Sequence, residues 1–222
     1  MQIDLQHRPS QAMAHVVLGP GESVMAESGA MVGMTPNVQI QTGSGGLMKG
    51  LKRLFGGESF FRNTFTAEGA PGEVYLAATL PGDLVVLDVG PRSYYLQSHA
   101  FVASSTTVDV DTKVGGFKTF FAGEGVFVLR TRGQGKLIAG AFGAIEQVDV
   151  RGEYVVDTGH LVAWEDSLQF KITKAADGWI ASWLSGEGLV CHFSGHGTLW
   201  MQTRNPGEYG EEIGRRLPPR ES

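Results

Sequence analysis

Short runs in which apolar and polar residues alternate, broken every few positions by glycine, cover most of the chain. Such a pattern predicts half-buried β-strands joined by tight turns, with little helix. The runs recur in a fixed order. Val24-Met-Ala-Glu-Ser-Gly-Ala-Met-Val32, Tyr94-Tyr-Leu-Gln-Ser-His-Ala-Phe-Val102 and Tyr154-Val-Val-Asp-Thr-Gly-His-Leu-Val162 share one outline: an apolar stretch, a polar residue, a hydroxyl, two spacers and an apolar pair. Val38-Gln-Ile40, Val108-Asp-Val110 and Leu168-Gln-Phe170 follow at the same distance. A later landmark, Gly72–Leu76, Gly135–Ala139 and Gly197–Met201, closes each copy, while Gly19-Pro20, Gly90-Pro91 and Gly152 mark turns ahead of or within the first landmark's approach. Several landmarks recurring roughly every 60–70 residues point to tandem copies of one unit. The expected fold is therefore all-β, with antiparallel sheets packed in pairs as three tandem β-sandwich repeats around a pseudo-threefold axis. The expected boundaries are about 14–82, 83–143 and 144–204 within a single domain, 1–204, followed by a tail, 205–222, in which Glu208–Leu217 reads as a short surface helix.

Between these landmarks lie the candidate sites. Leu51, Leu54 and Phe55 match Phe117, Phe120 and Phe121 and then Ile180, Trp183 and Leu184, each triplet spaced as one helical turn. In the first copy alone, Leu47, Leu51, Leu54 and Phe55 would share one helical face and Lys49, Lys52 and Arg53 the other. That is the layout of a hook for a membrane surface or a partner. A plug for the core of each unit is the other reading, because the apolar triplet recurs without the basic face. Glu58, Glu124 and Glu187 each follow a glycine. They serve either as corner residues accepting local N–H bonds or as three carboxylates around a cation. His192 and His196 would suit zinc on a helix, but a strand parts them by about 13 Å unless it bends at Gly195. Ser28, Ser98 and Thr158 are expected to bond the local backbone at a strand bend. Trp183 and Trp200 read as core, and Trp164 as the better surface candidate.

Composition narrows the function classes. Glycine is 32 of 222 residues, about twice its usual share. A net charge of −5 argues against a nucleic-acid partner, since phosphate affinity needs a basic surface. Cys191 is the single cysteine, so no disulfide forms within the chain. No apolar stretch reaches the length of a transmembrane segment, and the start carries no signal-peptide pattern, which makes a cytoplasmic location the expectation. Nucleophile elbow, phosphate-loop and dinucleotide signatures are absent, and no cofactor is implied.

The segment Gly46-Leu-Met-Lys-Gly-Leu-Lys-Arg-Leu-Phe-Gly-Gly-Glu-Ser-Phe-Phe61, with Glu27-Ser-Gly-Ala-Met31 upstream, resembles the signature of the altered-inheritance-of-mitochondria family. The resemblance implies a double-stranded β-helix fold similar to the tryptophan RNA-binding attenuation protein, here as three repeats in one chain. It implies no established biochemical activity. The expectation is a non-enzymatic binding or scaffold protein that forms a homo-oligomer or binds a protein partner, with peripheral membrane contact through Leu47–Phe55 as a lesser route. The alternative is a small-ligand receptor with pockets between repeats.

Overall fold

The computed structural model describes residues 1–42, 62–111, 128–174 and 189–218. Across them the chain is mostly β, with three antiparallel sheets and one short helix. After an N-terminal strand β1 (Gln2–Gln6), the segment expected from the sequence as the first unit, a term kept below for the three expected segments, holds β2 (Met13–Leu18), β3 (Ser23–Glu27), β4 (Met31–Met34), β5 (Val38–Thr42), β6 (Arg62–Ala67) and β7 (Gly72–Ala77). The second follows as β8 (Leu84–Val89), β9 (Tyr94–Gln97), β10 (Phe101–Ser105), β11 (Val108–Asp111), β12 (Val128–Gly133) and β13 (Gly135–Gly140). The third has four strands, β14 (Ile145–Asp157), β15 (Leu161–Glu165), β16 (Gln169–Lys174) and β17 (Leu189–Gln202), of which β14 and β17 are long. Alternation is what makes these strands: β2 buries Ala14, Val16 and Leu18 and leaves the intervening residues half-buried.

The sheets cross the unit boundaries. Their orders are β1-β2-β7-β4, then β5-β6-β3-β10-β13-β8, then β11-β12-β9-β15-β17-β14 with β16 also on β17. In the second and third sheets, the second strand of one unit pairs with the third strand of the next: β3 with β10 and β9 with β15. The landmarks read from the sequence occupy matching register positions. The third strand of each of the first two units meets its sixth, and β15 meets β17, with the same irregularity, between Met31 and Gly33, Phe101 and Ala103, and Leu161 and Ala163. A closed ring of three units would also need β14 against β4, and no such ladder occurs among the described residues.

The third unit departs from the other two. Gly152, expected as a turn, lies inside β14 directly opposite Gly195 of β17. Both take positive φ, +110° and +114°, a region glycine enters without steric cost. The paired glycines let two continuous strands bend where the earlier units break into separate strands. One curled sheet therefore does in the third unit what two sheets do in the first.

The cores follow from this. The first, around Leu18, Phe65 and Leu76, packs the first sheet on the second and takes in Val102 and Ile138 from the next unit. The second core, around Leu96, Phe101 and Leu137, lies between the second and third sheets and reaches Val162 and Trp200. The third, around Trp164, Phe193 and Leu199, is enclosed mainly by the curled sheet. Each fully buried Leu or Phe contributes about 1.5–3 kcal/mol, and because these side chains come from adjoining units, the units stabilise one another.

The tail forms α1 (Pro206–Gly214), which starts earlier than the apolar spacing indicated. Asn205 caps it by accepting from the N–H groups of Gly207 and Glu208, and Pro206 holds its first turn.

Candidate functional site

The basic-apolar segment Leu47, Lys49, Leu51, Lys52, Arg53, Leu54 and Phe55 lies outside the described residues, as do Glu58, Glu124 and Glu187. Trp179 and Trp183 lie outside them as well. Among the sheet edges left by the described residues, two lie at opposite ends of the unit series, at β4 and at β14.

The first is β4, the last strand of its sheet, hydrogen-bonded only to β7 on one side. Its residues Met31, Val32 and Met34 are 38%, 61% and 36% exposed. The same repeat positions are closed in the other units, where Val102 is 1% and Val162 0% exposed. The difference is one of neighbours: β10 and β15 are flanked by strands on both sides, whereas β4 has a strand, β7, on one side only. Nothing in the strand Met31-Val-Gly-Met34 carries the charge or proline that commonly protects an exposed edge.

The second edge is the C-terminal half of β14, paired with β17 on one side. Tyr154 is 36% and Val155 45% exposed, while Val24 and Tyr94 at the repeat position of Tyr154 are 0% and 4% exposed. Beside this edge a shallow cleft of about 260 Å³ is lined by Tyr154, Val155, Phe170, Lys171 and His192 among others. It is smaller than most small-molecule sites, which run from about 300 to 1,000 Å³.

Several sequence readings are corrected by placement. Trp164 is not a surface residue: it is 0% exposed, between β9 and β17, with Phe170 and Phe193 edge-on at 5.0 and 5.6 Å and Tyr95 stacked at 5.8 Å. Trp200 sits in the core as read, edge-on to Tyr94. The hydroxyl of Thr158 does not bond its own bend; it donates to the carbonyl of Leu189, 3.0 Å away on β17. His192 and His196 lie along β17 with the Gly195 bend between them, and no three His, Cys, Asp or Glu side chains gather as a metal site among the described residues.

The titrating groups that depart most from their ordinary values sit inside the packing. Burial raises the Glu27 carboxyl at the end of β3 to about 7. It pushes the Cys191 thiol to about 12, which makes this enclosed cysteine a poor nucleophile. His99 is lowered to about 4 by desolvation, its Nε2 enclosed without a hydrogen-bond partner among the described residues. Arg92 pairs with the buried carboxylate of Glu165, joining the second unit to the third. None of these groups meets another in an acid–base or nucleophile geometry. No helix among the described residues is long and apolar enough to cross a membrane.

Sequence reasoning missed both edges because no residue type distinguishes them: Val32 and Val102 are the same amino acid at the same repeat position. The signal was position in the series. Among the described residues β4 and the C-terminal half of β14 each end their sheet, with a strand on one side only.

Comparison with known proteins agrees with this architecture. An uncharacterised protein of Streptococcus pyogenes serotype M6 is 33% identical over 230 residues, covering 98% of this chain and 86% of that protein. The crystal structure of a Streptococcus pyogenes protein superposes with a TM-score of 0.80 at 30% identity, covering 97% of this chain and 99% of that one. The family model described as Mitochondrial biogenesis AIM24 matches residues 3–204. The chain belongs to the AIM24 family.

Proposed function

We propose that the protein is a non-enzymatic scaffold that self-associates through its sheet edges. One observation carries the reading: Val32 is 61% exposed on a strand paired on one side only, whereas Val102 and Val162 at its repeat position are 1% and 0% exposed. An apolar strand edge of this kind is a template for another strand. Adding a strand from a partner supplies main-chain hydrogen bonds together with side-chain burial.

The finer architecture belongs to the same proposal. The three units are tandem copies of one sandwich-like unit, each related to the next by a common rotation of the pseudo-threefold kind. The matching third-to-sixth strand registers support a single repeated step. Superposing the thirds tests it, and unequal rotations from the first unit to the second and from the second to the third would reject it.

Native mass spectrometry and sedimentation of the full chain test the scaffold reading. The expected result is a multiple of the 23.8 kDa chain mass at micromolar concentration, with Val32→Asp shifting it to the single-chain mass. A single-chain mass at every concentration rejects self-association. A stoichiometric small molecule retained on a single chain would favour the receptor alternative.

A further inference from the structure

Successive units meet through one kind of seam, with a register seen twice. In the first seam β3 faces β10, with Val24, Met25 and Ala26 opposite Ser105, Ser104 and Ala103. In the second, β9 faces β15, with Tyr94, Tyr95 and Leu96 opposite Glu165, Trp164 and Ala163. Both ladders are antiparallel and three pairs long. The donor strand of the third unit is the C-terminal half of β14, where Tyr154, Val155 and Val156 pair with Phe193, His192 and Cys191. Val24, Met25 and Ala26 meet Phe65, Thr64 and Asn63 of the corresponding strand, β6. The matching acceptor in the first unit is β4, where Gly33 and Met34 meet Tyr75 and Val74 as Ala103 and Ser104 meet Ile138 and Leu137. Donor and acceptor are both unpaired on the relevant side among the described residues.

We infer that β14 of one copy docks antiparallel on β4 of a second copy, with Val156 opposite Gly33, Val155 opposite Met34 and Tyr154 opposite Thr35, repeating the internal seam between molecules. The inference rests on the self-association reading above and specifies its contact. Pro36, which has no N–H to donate, follows Thr35 and ends the ladder after the same three pairs. The seam joins two different surfaces, so every copy keeps one donor and one acceptor. Such head-to-tail contacts close into a ring when the rotation permits and otherwise extend as a filament. Occupation of the seam would cover Met31, Val32 and Met34, which are exposed on the open edge strand β4.

Cysteine pairs read the register directly. Opposed residues in an antiparallel ladder have Cα atoms about 4.5–5.5 Å apart, inside the range of about 4.4–6.8 Å that a disulfide spans. Val155 and Met34 are both well exposed, at 45% and 36%, so cysteine is tolerated there, and Cys191, fully buried, does not compete. Full-length Val155→Cys and Met34→Cys chains, mixed and mildly oxidised, should give a reducible two-chain band. Tyr154→Cys mixed with Met34→Cys should not, because neighbouring residues on a strand point to opposite faces. A double variant, Met34→Cys with Val155→Cys, should give a ladder or one closed multimer. If the double variant instead closes a disulfide within single chains, the seam is internal and the second copy is wrong. An oligomer by native mass whose Val155→Cys and Met34→Cys chains fail to cross-link overturns this register while leaving self-association standing. A chain that stays single at all concentrations removes both.

Discussion

Trp164→Ala should be among the most damaging single changes in the described residues. Its indole is 0% exposed and packs on Phe170 and Phe193 of the third unit and on Tyr95 of the second. A buried Trp removes roughly 150–250 Å² from water, so truncation forfeits about 4–6 kcal/mol at about 25 cal/mol per Å². Against this, the indole Nε1 has no hydrogen-bond partner among the described residues. Deleting an unmet buried donor returns about 1–2 kcal/mol. The net cost is about 2–5 kcal/mol, as expected for large-to-small changes in a close-packed core. In a chain of this size each kcal/mol lowers Tm by about 2–4 °C, which places the shift at about 4–20 °C. Circular dichroism melts and urea titrations measure it, with the slope m unchanged if only the native state is affected. Trp164→Phe, which keeps a ring and discards the unmet donor, should cost less than half as much. Because Tyr95 belongs to the neighbouring unit, the transition should stay single and move as a whole. A shift below about 2 °C, or a melt that splits with only one phase displaced, refutes the claim that the aromatic cluster binds two units into one cooperative body.

Two half-buried titrating groups should make stability respond to pH in opposite directions. Glu27 rises from 4.5 to about 7, so the folded state holds the extra proton between those values and stability falls as pH climbs through them. At about 1.36 kcal/mol per pH unit the loss is at most about 3 kcal/mol, and Glu27→Gln should flatten it. His99 drops from 6.5 to about 4, so the unfolded chain takes the proton first and stability falls as pH decreases through that window. His99→Gln should remove this second slope. Urea midpoints measured from pH 4 to pH 8 separate the two, and a variant curve running parallel to that of the parent chain dismisses the corresponding group.

Much of the fold is legible in the chain because its signals are local. Alternation marks the strands, and the recurring landmarks align Met31 with Phe101 and Leu161, the alignment that the strand registers reproduce. What is not legible is which strand lies on the far side. Trp164 reads as surface because Ser104, polar, takes its repeat position, yet both are enclosed, at 0% and 1% exposure, since their strands have neighbours on both sides. Gly152 reads as a turn because a lone glycine breaks the apolar pattern; only its pairing with Gly195 makes it a bend in a continuous strand. The candidate edge is illegible for the same reason as Trp164. Exposure there is decided by the neighbouring strand rather than by the residue.

The matched valines turn that point into a measurement. Val32 and Val102 are one residue type at one repeat position, 61% and 1% exposed. An aspartate in place of Val102 would bring a carboxylate into the first core, where Val102 packs with Ile138 and Leu84. Burying that group without a partner costs several kcal/mol, comparable with the whole stability of many domains, which is about 5–15 kcal/mol. Val102→Asp should therefore unfold the chain or lower Tm by more than about 10 °C. Val32→Asp places the same charge in solvent when the chain is alone, and its melt should stay within about 2 °C of the parent at a dilution where no assembly forms. Raising the concentration should then separate the parent from Val32→Asp, because assembly stabilises only the chain whose edge can be covered. Equal damage from the two substitutions in dilute solution would mean that β4 is already covered within its own chain. The open edge on which the scaffold reading depends would then not exist.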